Sequence, residues 1–220
     1  MTKISVVRSV LKANDAVAEA NRRRLEAAGI MVLNITSAPG SGKTALLEKT
    51  IPALAPALRS AVVVGDLQTT RDAERLGGLA VEVSQINTEG GCHLQATQVA
   101  DALDTLALKD LGLLFIENVG NMVCPASYDL GEHLRVVLLS VPEGPDKVAK
   151  YPTIFQPADV ILINKMDLAG PLEFSDEIVM ADLARINTRA PVFRVSARTG
   201  EGLEAWYDWI REQHRARFGS

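Results

Sequence analysis

Ser37-Ala38-Pro39-Gly40-Ser41-Gly42-Lys43-Thr44 is the stretch on which the fold turns. The apolar run Ile30-Met31-Val32-Leu33-Asn34-Ile35 before it reads as a buried strand, and Ala45-Leu46-Leu47-Glu48-Lys49 after it as a helix start. A strand, a loop of small residues ending in Gly-Lys-Thr, and a helix make a P-loop. The backbone N–H groups of such a loop, with the helix N-terminus, form a nest for phosphate. Gly40, Ser41 and Gly42 are therefore candidate phosphate contacts, Lys43 can reach the outer phosphates, and the Thr44 hydroxyl can ligate Mg²⁺. The usual pattern opens with Gly where this chain has Ser37, while Gly40 and Gly42 stand where backbone must approach phosphate closely.

Outward from this loop, apolar strands alternate with helices. Residues 9–28 read as a leading helix stopped by Gly29, with Arg22-Arg23-Arg24 on a solvated face. The helix after the P-loop is expected to reach about Arg59, bent or shortened by Pro52 and Pro56. Residues 61–65 form a β-branched strand ending at Asp66, 71–76 a short charged helix, 80–83 a short strand, and 111–116 an apolar strand ending at Glu117. The loop 87–93 leads to a helix reaching about 107. Residues 134–141, 159–163 and 191–195 are further strands, and 177–187 and 203 to about 215 further helices.

Strands that are apolar almost throughout are buried on both faces. The expected fold is α/β, a three-layer P-loop NTPase domain with a mainly parallel central sheet flanked by helices. Residues 1–29 are read as a helical extension packed on the domain and 30–220 as the GTPase domain. Such sheets bind ligands beyond the carboxyl ends of their strands, where Asp66, Glu117, Asn164 and Ser196 all fall.

Composition narrows the classes. At 220 residues and 47% hydrophobic the chain can bury one sizeable core. Lys and Arg number 23 against 27 Asp and Glu, a net charge of −4, which argues against a nucleic-acid surface. No run approaches the ~20 apolar residues of a membrane span, and Met1-Thr2-Lys3-Ile4-Ser5 opens no signal-peptide core. A cytoplasmic location is expected, where the two cysteines are thiols.

Ile161-Leu162-Ile163 runs into Asn164-Lys165-Met166-Asp167, a guanine reader. The Asp167 carboxylate can accept from guanine N1–H and the exocyclic amine, whereas adenine would present it with a lone pair; a site built for one pattern rejects the other strongly. The Lys165 stem can cover the base, and Asn164 can tie this loop to the P-loop. Ser196-Ala197-Arg198 is similar to the last guanine loop of GTPases, in which a backbone N–H, here that of Ala197, meets guanine O6. On the phosphate side, Glu117-Asn118-Val119-Gly120 stands where most GTPases have Asp-x-x-Gly. Gly120 N–H can touch the γ-phosphate; Glu117 can hold Mg²⁺, directly or through water, or orient the attacking water, and Asp66 is the other acid. Lys43, Asp66 and Glu117 are thus the catalytic candidates. Asn121 replaces the Gln that follows the switch Gly in Ras-like enzymes, so slow intrinsic hydrolysis is expected. These motifs disfavour a small-molecule kinase on the same loop. Arg71 and Lys147 read as surface charge, with a trans contact to nucleotide across a dimer as the alternative.

Cys92-His93 lies in a Gly-rich loop after one strand, and Cys124 just beyond the Glu117 loop. Thiolate and imidazole suit Zn²⁺, Ni²⁺ or Cu. Three ligands are too few for a closed structural zinc, which leaves an open, transferable site, ligands shared by two subunits, or two ordinary buried cysteines and a surface histidine.

The P-loop, Gly65-Asp66-Leu67-Gln68-Thr69 with Asp72-Ala73-Glu74-Arg75, Gly91-Cys92-His93-Leu94, and above all the run from Glu117-Asn118-Val119-Gly120 through Cys124-Pro125-Ala126 together resemble the HypB family, GTPases that assist nickel insertion into [NiFe]-hydrogenase. The resemblance covers about 5–215. It implies a SIMIBI-class GTPase using GTP and Mg²⁺ that dimerises when GTP-bound. Cys92, His93 and Cys124 would match the family's Ni²⁺ or Zn²⁺ site at the dimer interface. The implied partners are a companion nickel accessory protein and the hydrogenase large subunit, with no nucleic acid or membrane. Some members carry an N-terminal Cys-rich motif or a His-rich tract. This chain begins Met1-Thr2-Lys3-Ile4-Ser5-Val6 and has three histidines, so neither high-affinity N-terminal binding nor nickel storage is expected. The urease-side relative typically has Cys-Pro-His, unlike Cys92-His93, which favours the hydrogenase reading over nickel delivery to urease. A plain GTPase switch with structural cysteines is the other alternative.

Overall fold

The alternation of side chains along each strand sends apolar residues to both faces of one sheet. A computed structural model of the chain describes residues 3–66, 71–79, 81–88 and 90–219. Its elements are α1 (Lys3–Ala27), β1 (Met31–Ser37), α2 (Lys43–Leu54), β2 (Ser60–Asp66), α3 (Arg71–Gly77), β3 (Glu82–Asn87), α4 (Ala96–Thr105), β4 (Leu113–Glu117), β5 (Leu134–Ser140), α5 (Lys147–Lys150), α6 (Pro152–Phe155), β6 (Val160–Asn164), α7 (Asp176–Ile186), β7 (Val192–Arg194) and α8 (Leu203–Phe218). The strands lie in the order β3-β2-β4-β1-β5-β6-β7, and every neighbouring pair is parallel. The expected three-layer parallel fold is present.

Met31, Leu33 and Ile35 of β1 point to one layer, where Leu46, Leu47 and Ile51 of α2 meet Trp206 and Ile210 of α8. Val32 points the other way, against Leu25 of α1 and Val99 and Leu103 of α4. Further along that face, Val137, Leu139, Ile161 and Ile163 pack on Val148 of α5, Phe155 of α6, and Val179 and Leu183 of α7. All residues of β1, β4 and β6 are buried, which is why these strands lack a polar period. Among the described residues no helix is long and apolar enough to cross a membrane.

Three expectations need correction. The helix after the P-loop stops at Leu54 rather than near Arg59, because Pro56 has no N–H to continue the ladder; Pro52 is accommodated inside it. The third strand is 82–87 rather than 80–83. It is a half-buried edge strand carrying Ser84, Gln85 and Asn87, so an apolar run does not mark it; Ala80 lies outside the described residues, as do Leu67, Gln68 and Thr69. Arg22 is not on a solvated face: its guanidinium binds both Asp129 carboxylate oxygens at 2.7 and 2.6 Å. Asn14 and Asn21 complete this attachment of α1. Asn14 donates to Asp129 O at 2.7 Å and accepts from Ala96 N at 2.9 Å, and Asn21 donates to Ala96 O at 2.8 Å.

At the opposite end of the sheet from the P-loop, Val32 N donates to His133 Nδ1 at 3.0 Å. That bond requires the neutral ring, and burial, with Arg217 nearby, pulls its pKa down from 6.5 to about 4. Unfolding lets the ring take up a proton between those values, so His133 withdraws stability as pH falls from about 6.5 to about 4. Relative to His133→Asn, whose amide oxygen can still accept from Val32, the parent is expected to lose about 2 kcal/mol between pH 7 and 5, read by urea unfolding. A parallel decline in both proteins would refute this.

Candidate functional site

The loop between β1 and α2 turns through Gly40 and Gly42, at φ 74° and 99°. Gly42 is also sterically compelled: a Cβ there would lie 2.7 Å from Asn164 Nδ2. Asn164 fastens two loops at once, donating to Ser41 O at 2.8 Å and accepting from Ala197 N at 3.0 Å. Lys165 Nζ donates to Gly40 O at 2.6 Å. The three segments expected to read guanine and phosphate are thus joined before any ligand arrives.

Between them opens a groove of about 300 Å³ lined by Gly42, Ala45, Asn164, Lys165, Asp167 and Ala197, among others. Ser196 does not line it. That residue is fully buried, and its hydroxyl donates to Asp167 Oδ1 at 2.6 Å, so it aims the carboxylate rather than meeting a base itself. Arg198 approaches the other oxygen of Asp167 at 3.6 Å.

On the phosphate side Lys43 is 8% exposed and its Nζ donates to Ser37 Oγ at 3.2 Å, so the Ser at the head of the loop serves as a resting partner for the ammonium. Burial lowers the Lys43 pKa, opposed by the surrounding acids Glu117, Asp72, Glu143 and Asp66. Thr44 Oγ1 donates to Glu117 Oε1 at 2.8 Å. The other oxygen, Oε2, is buried with no hydrogen-bond partner among the described residues. Burial raises the Glu117 pKa to about 7, against the pull of Lys43 and Thr44. A buried carboxylate oxygen without a partner, beside a threonine hydroxyl, is an oxygen donor set that suits Mg²⁺. Asp66 ends β2, next to β4, and is half-buried. Gly120 lies against the P-loop, where a Cβ would come within 2.9 Å of Pro39 Cα.

The structure also brings Cys92, His93 and Cys124 together: one ligand atom from each lies within 4.8 Å of the others, and all three residues are half-buried. The Cys124 thiol, then burial, pushes the Cys92 thiol pKa up, and burial lowers that of His93. Buried His93 Nε2 has no partner among the described residues. Val123, beside Cys124, is 57% exposed.

Three contributors, Glu143, Tyr128 and Asn118, carry no role in the sequence reading, and Asn121 has contacts beyond the one expected of it. Glu143 accepts from Ser41 Oγ at 2.7 Å and from Ser140 N at 2.9 Å; the Ser140-x-x-Glu143 capping pattern could have flagged it. Tyr128 stacks on His93 with ring centroids 3.8 Å apart. Asn118 links loops from inside, and Asn121 accepts from Val123 N and Cys124 N at 2.7 and 3.2 Å. No local pattern announces Tyr128, Asn118 or these bonds of Asn121. Arg71 is exposed, and Lys147 pairs with neighbouring Asp146 at 3.3 Å.

Residues 31–194 match the CobW/HypB/UreG nucleotide-binding domain. The hydrogenase maturation factor HypB of Azotobacter chroococcum mcd 1 is 49% identical over 97% of this chain and 70% of its own. The hydrogenase/urease maturation factor HypB of Helicobacter pylori strain 26695 is 42% identical over 99% of this chain and 90% of its own. A crystal structure of Helicobacter pylori HypB in complex with nickel superposes with a TM-score of 0.90 at 42% identity, covering 94% of this chain and 97% of that one. With the P-loop, the Glu117 loop and the thiol–imidazole cluster at one end of a parallel sheet, the chain belongs to the HypB hydrogenase maturation factors of the CobW/HypB/UreG family.

Proposed function

We propose that this chain is a cytoplasmic GTPase that acts as a metallochaperone for nickel insertion into [NiFe]-hydrogenase, dimerising with GTP and holding the metal at Cys92, His93 and Cys124. One observation carries the reading: the cluster of two thiols and an imidazole sits on the loops that follow β3 and β4, and β4 ends in Glu117 on the phosphate side. Nickel is cargo here, and three half-buried protein ligands leave room for a further one from a partner subunit or an acceptor. The exposed Val123 beside them suits such an interface. The expected recipients are the companion nickel accessory protein and the hydrogenase large subunit.

Within this reading the guanine base occupies the groove floored by Asp167, with Asn164, Lys165 and the Ala197 N–H around it. The backbone of Gly40, Ser41 and Gly42 cradles the phosphates, and Lys43 leaves Ser37 to meet them. Bound Mg²⁺, held by Thr44 and Glu117 with Asp66 near, would neutralise phosphate charge. Glu117, protonated about half the time near pH 7 in the empty site, must lose its proton to serve. Cys92, with its raised pKa, must likewise release a proton on metal binding, so nickel affinity rises with pH.

The test compares the GTP-analogue and GDP forms for molecular size, nickel content and nickel affinity. A larger species with altered nickel affinity is expected with the analogue; identical size, stoichiometry and affinity would overturn the reading. Replacing both Cys92 and Cys124 by Ser separates it from a plain switch, which would still support hydrogenase maturation in cells.

Slow turnover is a second expectation. The Asn121 amide oxygen is engaged by the N–H groups of Val123 and Cys124, at the start of the turn that presents Cys124. It is therefore not free to orient an attacking water. Single-turnover hydrolysis by the purified protein should run at or below about 10⁻² s⁻¹, the range of GTPases acting without an activating partner. A rate above ~1 s⁻¹ would contradict it.

A further inference from the structure

Asn118 follows Glu117 at the end of β4 and is 1% exposed. Its Oδ1 accepts from Val119 N at 2.9 Å and from Leu94 N at 3.4 Å. Its Nδ2 donates to Oδ1 of Asn34, on β1, at 3.2 Å. Asn34 is 2% exposed and in turn donates to Glu132 Oε1 at 3.4 Å. The amide is thus gripped from the sheet side and reaches outward to a different loop. Two N–H groups facing Oδ1 fix which way it points.

The loop it reaches is the one carrying Cys92 and His93. Leu94 is fully buried. Its side chain fills the notch at Gly65, where a Cβ would come within 2.8 Å of it. One backbone position thus anchors the metal segment by a packed side chain and by the bond to Asn118. On its other side, the loop 117–120 abuts the P-loop through Gly120 and Pro39. A phosphate entering the P-loop must therefore act on Gly120, Val119 and, through them, Asn118.

We propose that Asn118 is the positioning residue that makes the Cys92-His93 segment follow the nucleotide state of the Glu117 loop. This rests on the metallochaperone reading above and supplies its missing link. The covalent run from Gly120 to Cys124 can move only one of the three ligands. If Cys124 moved alone, the cluster would be pulled apart rather than re-set. Asn118 ties the other two ligands to the same displacement. Its bond to Leu94 is the longest contact of its set, so a shift of a few tenths of an ångström suffices to make or break it. That is a two-state contact biased by one site and read at the other, as coupling requires.

The test measures Ni²⁺ affinity by competition with a chromogenic chelator, with GDP and with a non-hydrolysable GTP analogue, in the parent and in Asn118→Ala. The parent ratio of affinities is expected to be about 5-fold or more, the usual lower range of coupled sites. In Asn118→Ala it falls to about 1 while both nucleotides and one Ni²⁺ per site still bind. A parent ratio kept by Asn118→Ala overturns this inference alone; a parent ratio of about 1 overturns the metallochaperone coupling as well. Should the variant fail to fold, the unaltered protein decides. Amide hydrogen exchange at Leu94 must then differ about 10-fold or more between the two nucleotide forms, and equal protection overturns the proposal.

Discussion

Asp167→Asn is expected to weaken GDP and GTP binding by about 10²–10⁴-fold and to confer binding of xanthosine nucleotides. The carboxylate is held by the Ser196 hydroxyl at 2.6 Å and is 15% exposed, so it is aimed before the base arrives. Guanine offers it two donors, N1–H and the amine at C2. An asparagine can accept one, but its Nδ2 then faces the amine donor to donor. Losing one charge-assisted bond costs roughly 1.5–3 kcal/mol, and stranding a buried donor a further 1–3 kcal/mol or so. Xanthine carries a carbonyl at C2, which the Asn Nδ2 can serve, so the same change that repels guanine suits xanthine. Titration of parent and variant with GDP and XDP reads the swap. Unchanged GDP affinity would show that Asp167 does not face the base. Because the substitution lies far from the thiol cluster, nickel binding to the nucleotide-free variant should match the parent.

The fold and most of this site were legible because their causes are local. A buried strand, a Gly-rich loop and a helix start are adjacent in sequence, and Gly42 is Gly because Asn164 stands where a side chain would be. Asn164-Lys165-x-Asp167 and the Glu117 run each lie within a few residues of a strand end, so reading the strand places the motif. The edge strand β3 was misplaced because its half-buried polar residues carry no apolar period. Asn118 and Tyr128 escaped for another reason. Their partners, Leu94 and His93, are contributed by a different βα unit and are met only once the sheet brings β2 and β4 together. For Ser196 a backbone motif places the loop, and only the fold shows that its hydroxyl turns inward to Asp167. Arg22 was likewise hidden, since nothing in three consecutive arginines tells which one faces Asp129.

Glu117→Gln is expected to lower GTP hydrolysis by about 10²-fold or more, while making the nucleotide-free protein more resistant to unfolding above neutral pH. The two effects have one cause. Glu117 is 3% exposed, with one oxygen on Thr44 and the other without a partner among the described residues. Such a carboxylate is poised for a cation, and without one its charge is a burden on the fold. Its pKa is about 7 in the folded chain against 4.5 for the exposed group. The folded state therefore holds the proton through that window, and the contribution of Glu117 to stability declines as pH rises from about 4.5 through about 7. Glutamine keeps an acceptor for Thr44 and removes the charge. The variant should gain on the order of 2 kcal/mol over the parent between pH 5 and pH 8, with little difference at the acid end. His133 contributes the opposite pH dependence over much of the same range, so the parent alone shows a flattened profile and the paired variants separate the two groups. Saturating GDP with Mg²⁺ should shrink the advantage of the variant, because ligand binding stabilises more strongly the protein that retains the carboxylate for the cation. A variant whose relative stability does not change with pH would mean that Glu117 is ionised at no cost in the empty site. One that hydrolyses GTP at the parent rate would remove this residue from the catalytic set.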